Sequence, residues 1–171
     1  IMNGFQEISP LQLQENPFDL IGRQWALLTA ADETGANTMT ISWGGVGVLW
    51  GKQVVFAFVR PQRHTLPFME HAGRFTLSFF DESYREKLSY CGTVSGRDED
   101  KIAKCGFTVH QEAGAVCFHE ARLALVCRKL YVQDLKEECF TDPKVALQNY
   151  AEKDYHRMFI GEIEKVLKAV D

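Results

Sequence analysis

Three features of the sequence predict a mostly β fold, an antiparallel β-barrel with peripheral helices. Apolar, β-prone runs recur at residues 25–31, 38–43, 54–59, 74–80, 117–132 and 157–167, separated by turn-forming or helix-forming stretches. The helical stretches do not alternate regularly with the strands, as a parallel sheet would require. The run around 123–126 is apolar on both faces, which suits a central strand.

In chain order, Ser9-Pro10 followed by LQLQEN predicts a short helix, with Ser9 as N-cap and Pro10 at the first helical position, ending before Pro17. Strands at 25–31 and 38–43 flank the turn-like segment DETGAN and are expected to form a hairpin. The second of these alternates strictly, Thr38, Thr40 and Ser42 on one face and Met39, Ile41 and Trp43 on the other. Leu66, Phe68, Met69 and Ala72 fit the buried face of a short helix between strands at 54–59 and 74–80. Helices are expected over 83–91, with Tyr84, Leu88 and Cys91 on one side, and over 98–104. A long strand lies within 117–132, and an excursion at 134–154 holds a helix starting at Thr141-Asp142-Pro143. A strand from Arg157 to about Leu167 closes the fold.

The chain of 171 residues is 46% hydrophobic and 25% charged, which suits one globular domain over 1–171 with an ample core. A formal net charge of -4 argues against a broad basic face for nucleic acid, while leaving local basic pockets open. No apolar run approaches the roughly 18–20 residues of a membrane span. The first residues, IMNGFQEISP, lack a basic n-region and an apolar h-region, so a signal peptide is not expected. Five cysteines, with no Cys-x-x-Cys pair, read as reduced thiols of a cytoplasmic protein.

The cluster Gly44-Gly45-Val46-Gly47-Val48-Leu49-Trp50-Gly51 invites a dinucleotide-binding reading, but Trp50 stands where the third glycine belongs and another strand follows. A bend or bulge between strands is the better expectation. The five histidines show no metal-ligand spacing: His64 and His71 lie two helical turns apart without a third ligand, so no metal site is expected. No family signature surrounds any cysteine, and a Cys/His nucleophilic pair stays open.

Two basic clusters carry more information. Arg60-Pro61-Gln62-Arg63-His64-Thr65 follows an apolar strand, and two guanidiniums with a hydroxyl at a strand-to-helix junction suit a phosphate dianion. Taken alone, the segment is better explained as an exposed loop with solvated arginines. In Ser95-Gly96-Arg97-Asp98-Glu99-Asp100-Lys101, Gly96 permits an unusual turn and Asp98 can cap a helix containing Lys101. That loop can place Arg97 and Lys101 beside an anion, though a plain capped helix explains it nearly as well.

In order and spacing these segments resemble the flavin reductase-like, FMN-binding split barrels, which include flavoredoxins. The resemblance runs through Asn37-Thr38-Met39-Thr40-Ile41-Ser42-Trp43, the strand ending in Arg60-Pro61-Gln62-Arg63-His64-Thr65, and the strand at 75–80. It continues through Tyr90-Cys91-Gly92 and Ser95-Gly96-Arg97-Asp98 to His156-Arg157-Met158-Phe159-Ile160-Gly161-Glu162-Ile163.

The resemblance implies a homodimer of barrels that binds FMN near the subunit interface. It places Asn37, Thr38, Met39, Thr40, Ser42 and Trp43 along the flavin ring, with the hydroxyls of Thr38, Thr40 and Ser42 at its polar edge. A polar strand face in so small a barrel needs water or a ligand, so the alternation agrees. Arg63 and Thr65 are the implied phosphate ligands, with Arg60 nearby; Cys91, Ser95, Gly96, Arg97, Asp98 and Lys101 complete the pocket. Cys91 is expected to contribute packing or backbone contact rather than redox chemistry. The flavin would carry the chemistry while the protein positions and tunes it. The implied reaction is oxidoreduction with NADH or NADPH as donor and electrons passed on through FMN. The alternative is a flavoredoxin-like carrier without an efficient nicotinamide reaction. Expected partners are a small nicotinamide or flavin substrate, or a redox protein. His156 is the candidate catalytic residue, set to contact the flavin or an incoming nicotinamide; structuring the start of the last strand is the competing role.

One departure stands out. In the simpler flavin reductases a short connection leads from the long central strand to the Asp-His motif. Here residues 134–154 intervene and Tyr155 separates Asp154 from His156. The insertion is expected to cover the flavin, alter nicotinamide access, or form a surface for a redox partner.

Overall fold

The computed structural model describes residues 4–170, so the first three residues of the N-terminal segment read above lie outside the described residues. Fourteen regular elements follow one another. They are β1 (Phe5–Ile8), β2 (Ala26–Asp32), β3 (Gly35–Ile41), β4 (Gly45–Leu49), β5 (Lys52–Val59), α1 (Thr65–His71), β6 (Arg74–Phe79) and α2 (Arg85–Thr93). Then come α3 (Lys101–Cys105), β7 (Val109–Glu112), β8 (Ala115–Phe118), β9 (Leu123–Asp134), α4 (Pro143–Asn149) and β10 (Arg157–Ala169). One antiparallel sheet runs β3-β2-β6-β9-β10-β5-β4, and β7 pairs only with β8. The mostly antiparallel architecture with peripheral helices is as the sequence predicts.

The long strand β10 organises the sheet. Its whole length pairs with β9, while its other edge is shared, first by β5 over Arg157–Glu162 and then by β1 over Val166–Ala169. Register shifts at Ile160/Gly161 and Ile163/Lys165 bend it. The apolar run 123–126 is buried throughout and sits centrally, between β6 and β10. The main core joins Leu28, Val55, Phe75, Phe79, Leu125 and Phe159 under α1, whose Leu66 and Met69 face inward as their spacing predicts. A second cluster, Phe80, Leu88, Cys91, Cys105, Phe107 and Phe118, seats α2 and α3 against the sheet.

Several sequence expectations need correction. The N-terminal helix is a single 3-10 turn, Pro10–Gln12, closed by a Ser9/Gln12 capping box, and an unforeseen β1 precedes it. The glycine cluster is more than a bend. Gly45 and Gly47 lie within β4 and face the Phe56 ring. The sharp bend is confined to Gly44, at φ +148, where a Cβ would stand 2.8 Å from the Phe56 carbonyl oxygen. The long strand starts at Leu123; residues 117 and 118 belong instead to the β7–β8 hairpin, turned out by a loop whose Glu120 accepts from the Thr108 amide. The third helix is shorter than 98–104 and is capped by Asp100, whose carboxylate accepts from the Ala103 amide, rather than by Asp98.

Thr38 is the correction that bears on function. It is fully buried, its hydroxyl 2.9 Å from that of Thr29 and 3.2 Å from the Leu28 carbonyl, so the protein itself satisfies it. The Thr40 hydroxyl likewise donates to the Leu88 carbonyl on α2. Thr38 is therefore turned from the ligand groove and answered within the sheet, while Thr40 and Ser42 of the same face still reach that groove. Thr38→Val is expected to cost about 1–2 kcal/mol, because it leaves the Thr29 hydroxyl buried without its partner. Chemical denaturation checks this, and an unchanged midpoint would show that the hydroxyl pair contributes nothing.

Candidate functional site

Two adjoining hollows share Met39, Arg60 and Arg63. The first, about 200 Å³, is a groove along the free edge of β3, lined by Met39, Thr40, Ile41, Ser42, Trp43, Phe58, Arg60, Arg63 and His156. Residues from both faces of β3 reach it because it follows the strand's edge, where main-chain groups lack a sheet partner. The second, about 360 Å³, opens between the 60–65 and 95–101 loops. A larger hollow of about 590 Å³ lies elsewhere, but its arginines are committed: Arg122 to Glu15 and Gln24, Arg85 to the Arg23 and Gln24 carbonyls.

The second hollow brings Arg60, Arg63 and Lys101 together. Lys101 is 4% exposed, and its Nζ donates to the Cys91 carbonyl at 3.0 Å rather than to a carboxylate. Burial depresses its pKa, while the neighbouring Cys91 pulls the other way. Arg63 donates to the Gly92 carbonyl at 3.1 Å, and burial, then Arg60, lowers its pKa. His64 is lowered by burial and by Arg97 and Lys101. Lys101 and Arg63 are thus desolvated cations bonded to carbonyls, and the carboxylate lining this hollow, Asp154, is bonded to Arg60 and Gln62.

Neutral groups shape the same hollow. Asn37 donates to the Thr65 hydroxyl at 2.8 Å, which leaves that hydroxyl's own proton free to donate. Gly96 closes on the pair: a Cβ there would stand 2.1 Å from the Asn37 Oδ1, so only glycine lets the 95–101 loop approach this closely. Arg97 does not line the hollow. It straps the two loops together by donating to the Gln62 carbonyl at 3.2 Å, and its amide donates to the Ser95 hydroxyl. Asp98 contributes a turn, through its amide to the Ser95 carbonyl, and no lining side chain. Cys91 is buried with its thiol 3.7 Å from that of Cys105 and its pKa pushed up to about 12 by burial, so it offers packing and a carbonyl rather than a thiolate.

At the junction of the two hollows the insertion takes hold. Arg60 is held by Asp154 at 2.8 Å and by the Asn149 carbonyl at 2.9 Å, with its guanidinium 4.9 Å from the Tyr150 ring centroid. Arg60, expected near the phosphate ligands, is thus largely committed to the insertion, whereas Arg63 is not. His156 lies in the groove wall, edge-on to Trp43 and Phe58, with its Nδ1 2.6 Å from the Tyr150 hydroxyl. Burial and then Arg60 push its pKa down to about 4, so the imidazole is neutral near pH 7.

Of the predicted residues, Met39, Thr40, Ser42, Trp43, Arg60, Arg63, Thr65, Ser95, Gly96, Lys101 and His156 line the two hollows. Asn37 stands directly behind Thr65, and Thr38 is turned away into the sheet. Phe58, His64 and Tyr150 were not foreseen. Phe58 is legible in the alternation of its strand, but Tyr150 carries no sequence signal, since its pairing with His156 depends on how the insertion folds back. Among the described residues no group of three or more His, Cys, Asp or Glu could hold a metal, and no helix is long and apolar enough to cross a membrane.

The fold recurs in solved structures. An FMN-binding domain of a flavin reductases-like enzyme from Shewanella baltica OS155 superposes with TM-score 0.68 at 17% identity, covering 98% of this chain and 78% of its own. Flavoredoxin from Methanosarcina acetivorans gives TM-score 0.66 at 24% identity, covering 93% and 75%. The styrene monooxygenase flavin reductase of Pseudomonas putida S12 gives 0.59 at 16%, covering 84% and 78%. No curated protein sequence matches the chain. The family model described as the flavin reductase like domain matches residues 18–170, nearly the whole sequence, and the chain therefore belongs to that family.

Proposed function

We propose that the chain binds FMN, with the phosphate in the Lys101 hollow and the ring along the edge of β3, and acts as an NAD(P)H-dependent oxidoreductase. The observation that carries this reading is the buried, carboxylate-free Lys101 facing the same hollow as Arg63 and Thr65. A phosphate supplies the missing counter-charge, and Gly96 supplies the close backbone approach. Bound FMN would supply the capacity to accept a hydride or pass single electrons. The chain's own part is to hold, shield and polarise: Met39 and Trp43 flank the groove, and main-chain groups of β3 offer donors and acceptors along it.

A second reading, a carrier holding FMN tightly without an efficient nicotinamide reaction, is favoured by the insertion, which closes on Arg60 and His156 at one side of the groove. The two are separated by anaerobic mixing of the FMN-loaded protein with NADH and NADPH. Rapid bleaching of the flavin supports the first reading, and slow or absent bleaching the second. Failure of the protein to take up added FMN sinks both. We further propose a homodimer, because Trp43, Val48 and Trp50 are exposed around the edge strand β4; sedimentation as a monomer at micromolar concentration would refute it.

Arg63→Ala is expected to weaken FMN about tenfold, and riboflavin hardly at all, because the lost guanidinium is assigned to the phosphate. Isothermal titration with both ligands checks this. Equal weakening of the two would place Arg63 at the ring instead.

A further inference from the structure

We propose that Tyr150, contributed by the insertion, is a positioning residue that holds His156 as the neutral tautomer protonated on Nε2, so that the groove meets an N–H donor and not a nitrogen lone pair. The hydroxyl of Tyr150 and the Nδ1 of His156 are 2.6 Å apart, and both residues are at most 8% exposed. Two proton arrangements fit that distance. If Nδ1 carried the proton, the phenol would have to donate elsewhere, and its only side-chain hydrogen bond is this one. With the phenol as donor, both groups are satisfied and the ring proton moves to Nε2.

The surroundings fix the ring in place. Trp43 meets it edge-on at 5.6 Å and 61°, Phe58 at 6.3 Å and 82°, and Tyr150 itself at 5.5 Å and 81°. The charged groups facing the pair are Arg60, stacked on Tyr150, with Asp154 behind it and Arg63 across the groove. Two of these three are cations, so protonating the imidazole is opposed, and a neutral donor is what remains. Its Nε2 makes no hydrogen bond within the described protein, and His156 lines the groove. The chemistry this recognises is a carbonyl or amide oxygen on a bound ring system or on the substrate laid against it. Only the identity of that acceptor rests on the FMN reading; the tautomer does not.

The test is a two-bond proton–nitrogen correlation spectrum of the full-length, nitrogen-15-labelled protein at pH 7, recorded with and without FMN. The expected pattern is a pyridine-like Nδ1 and a pyrrole-like Nε2 for His156 in both samples. In Tyr150→Phe the competing tautomer should rise to within about tenfold of the first in both samples. Replacing Tyr150 with a ring-fluorinated tyrosine strengthens the donor without altering the packing, and should shift the Nδ1 resonance even if Tyr150→Phe fails to fold. A protonated Nδ1 in the unaltered protein, or a spectrum indifferent to both replacements, overturns the proposal. If the unaltered protein shows the Nε2–H pattern but takes up no FMN, the positioning is upheld and the cofactor reading falls.

Discussion

Lys101→Met is expected to reduce FMN affinity roughly 30–100-fold while leaving the stability of the ligand-free protein within about 1 kcal/mol of the original. The two halves have opposite causes. Lys101 is a buried ammonium whose hydrogen-bond partner is a carbonyl and not a carboxylate, so the ligand-free fold carries its desolvation without a compensating charge. Methionine fills a similar volume and removes that cost, while stranding the Cys91 carbonyl, whose loss offsets most of the gain. With the phosphate of FMN in the hollow, as proposed, the same ammonium would meet a dianion, and removing it would forfeit that charge pair. Titration calorimetry and denaturant unfolding on the same variant give both numbers. A large loss of stability would show that Lys101 is structural, and an unchanged FMN affinity would move the phosphate away from it.

What was legible in the sequence follows the range of the interactions concerned. The hairpin of β2 and β3, the inward face of α1 and the proline-initiated α4 all rest on periodicity and capping within a few residues, and the structure has them where expected. The two basic loops were legible as composition, but their meeting was not. Gln62 and Arg97 are 35 positions apart, and Asn37 and Thr65 are 28 apart, so only the folded sheet brings them together. Thr38 misled for the same reason: alternation says which residues share a face but is silent on what covers it. Here Thr29 satisfies Thr38 inside the sheet and α2 accepts from Thr40, so of that face only Thr40 and Ser42 reach the groove.

The role of the insertion was the least legible part. Arg60 belongs to a motif whose two guanidiniums and hydroxyl suit an anion, and its expected place is near the phosphate ligands. Asp154 and the Asn149 carbonyl, 94 and 89 residues further along the chain, claim it first. The two arginines of one short motif therefore differ: Arg60 ties the insertion to the site wall, and Arg63, bonded to the Gly92 carbonyl, faces both hollows.

His156 should make the protein lose stability as the solution is acidified from pH 6.5 towards 4, by an amount on the order of 2–3 kcal/mol. The sign follows from where the proton goes. In the unfolded chain the imidazole titrates near pH 6.5, whereas in the fold burial and Arg60 push it down to about 4. Between those values the unfolded state binds a proton that the folded state refuses, so the stabilisation is complete above 6.5 and drains away as pH falls through the window. Arg63, although lowered by burial, stays charged over this acidic range. Asp154, held below the usual carboxylate range chiefly by its bond from Gln62, stays ionised over most of the window, so the field on the ring hardly changes. Carboxylates elsewhere also begin to titrate near the lower end, and the comparison that isolates His156 is therefore the difference between the original protein and His156→Gln across the same pH series. Glutamine keeps a polar group near the Tyr150 hydroxyl but has no proton to take up. Its stability is expected to be lower at pH 7 and flatter below it, so the two curves should converge as pH approaches 4. Parallel curves over that range would mean that His156 titrates alike in both states, and the neutral donor assigned to it would lose its physical basis.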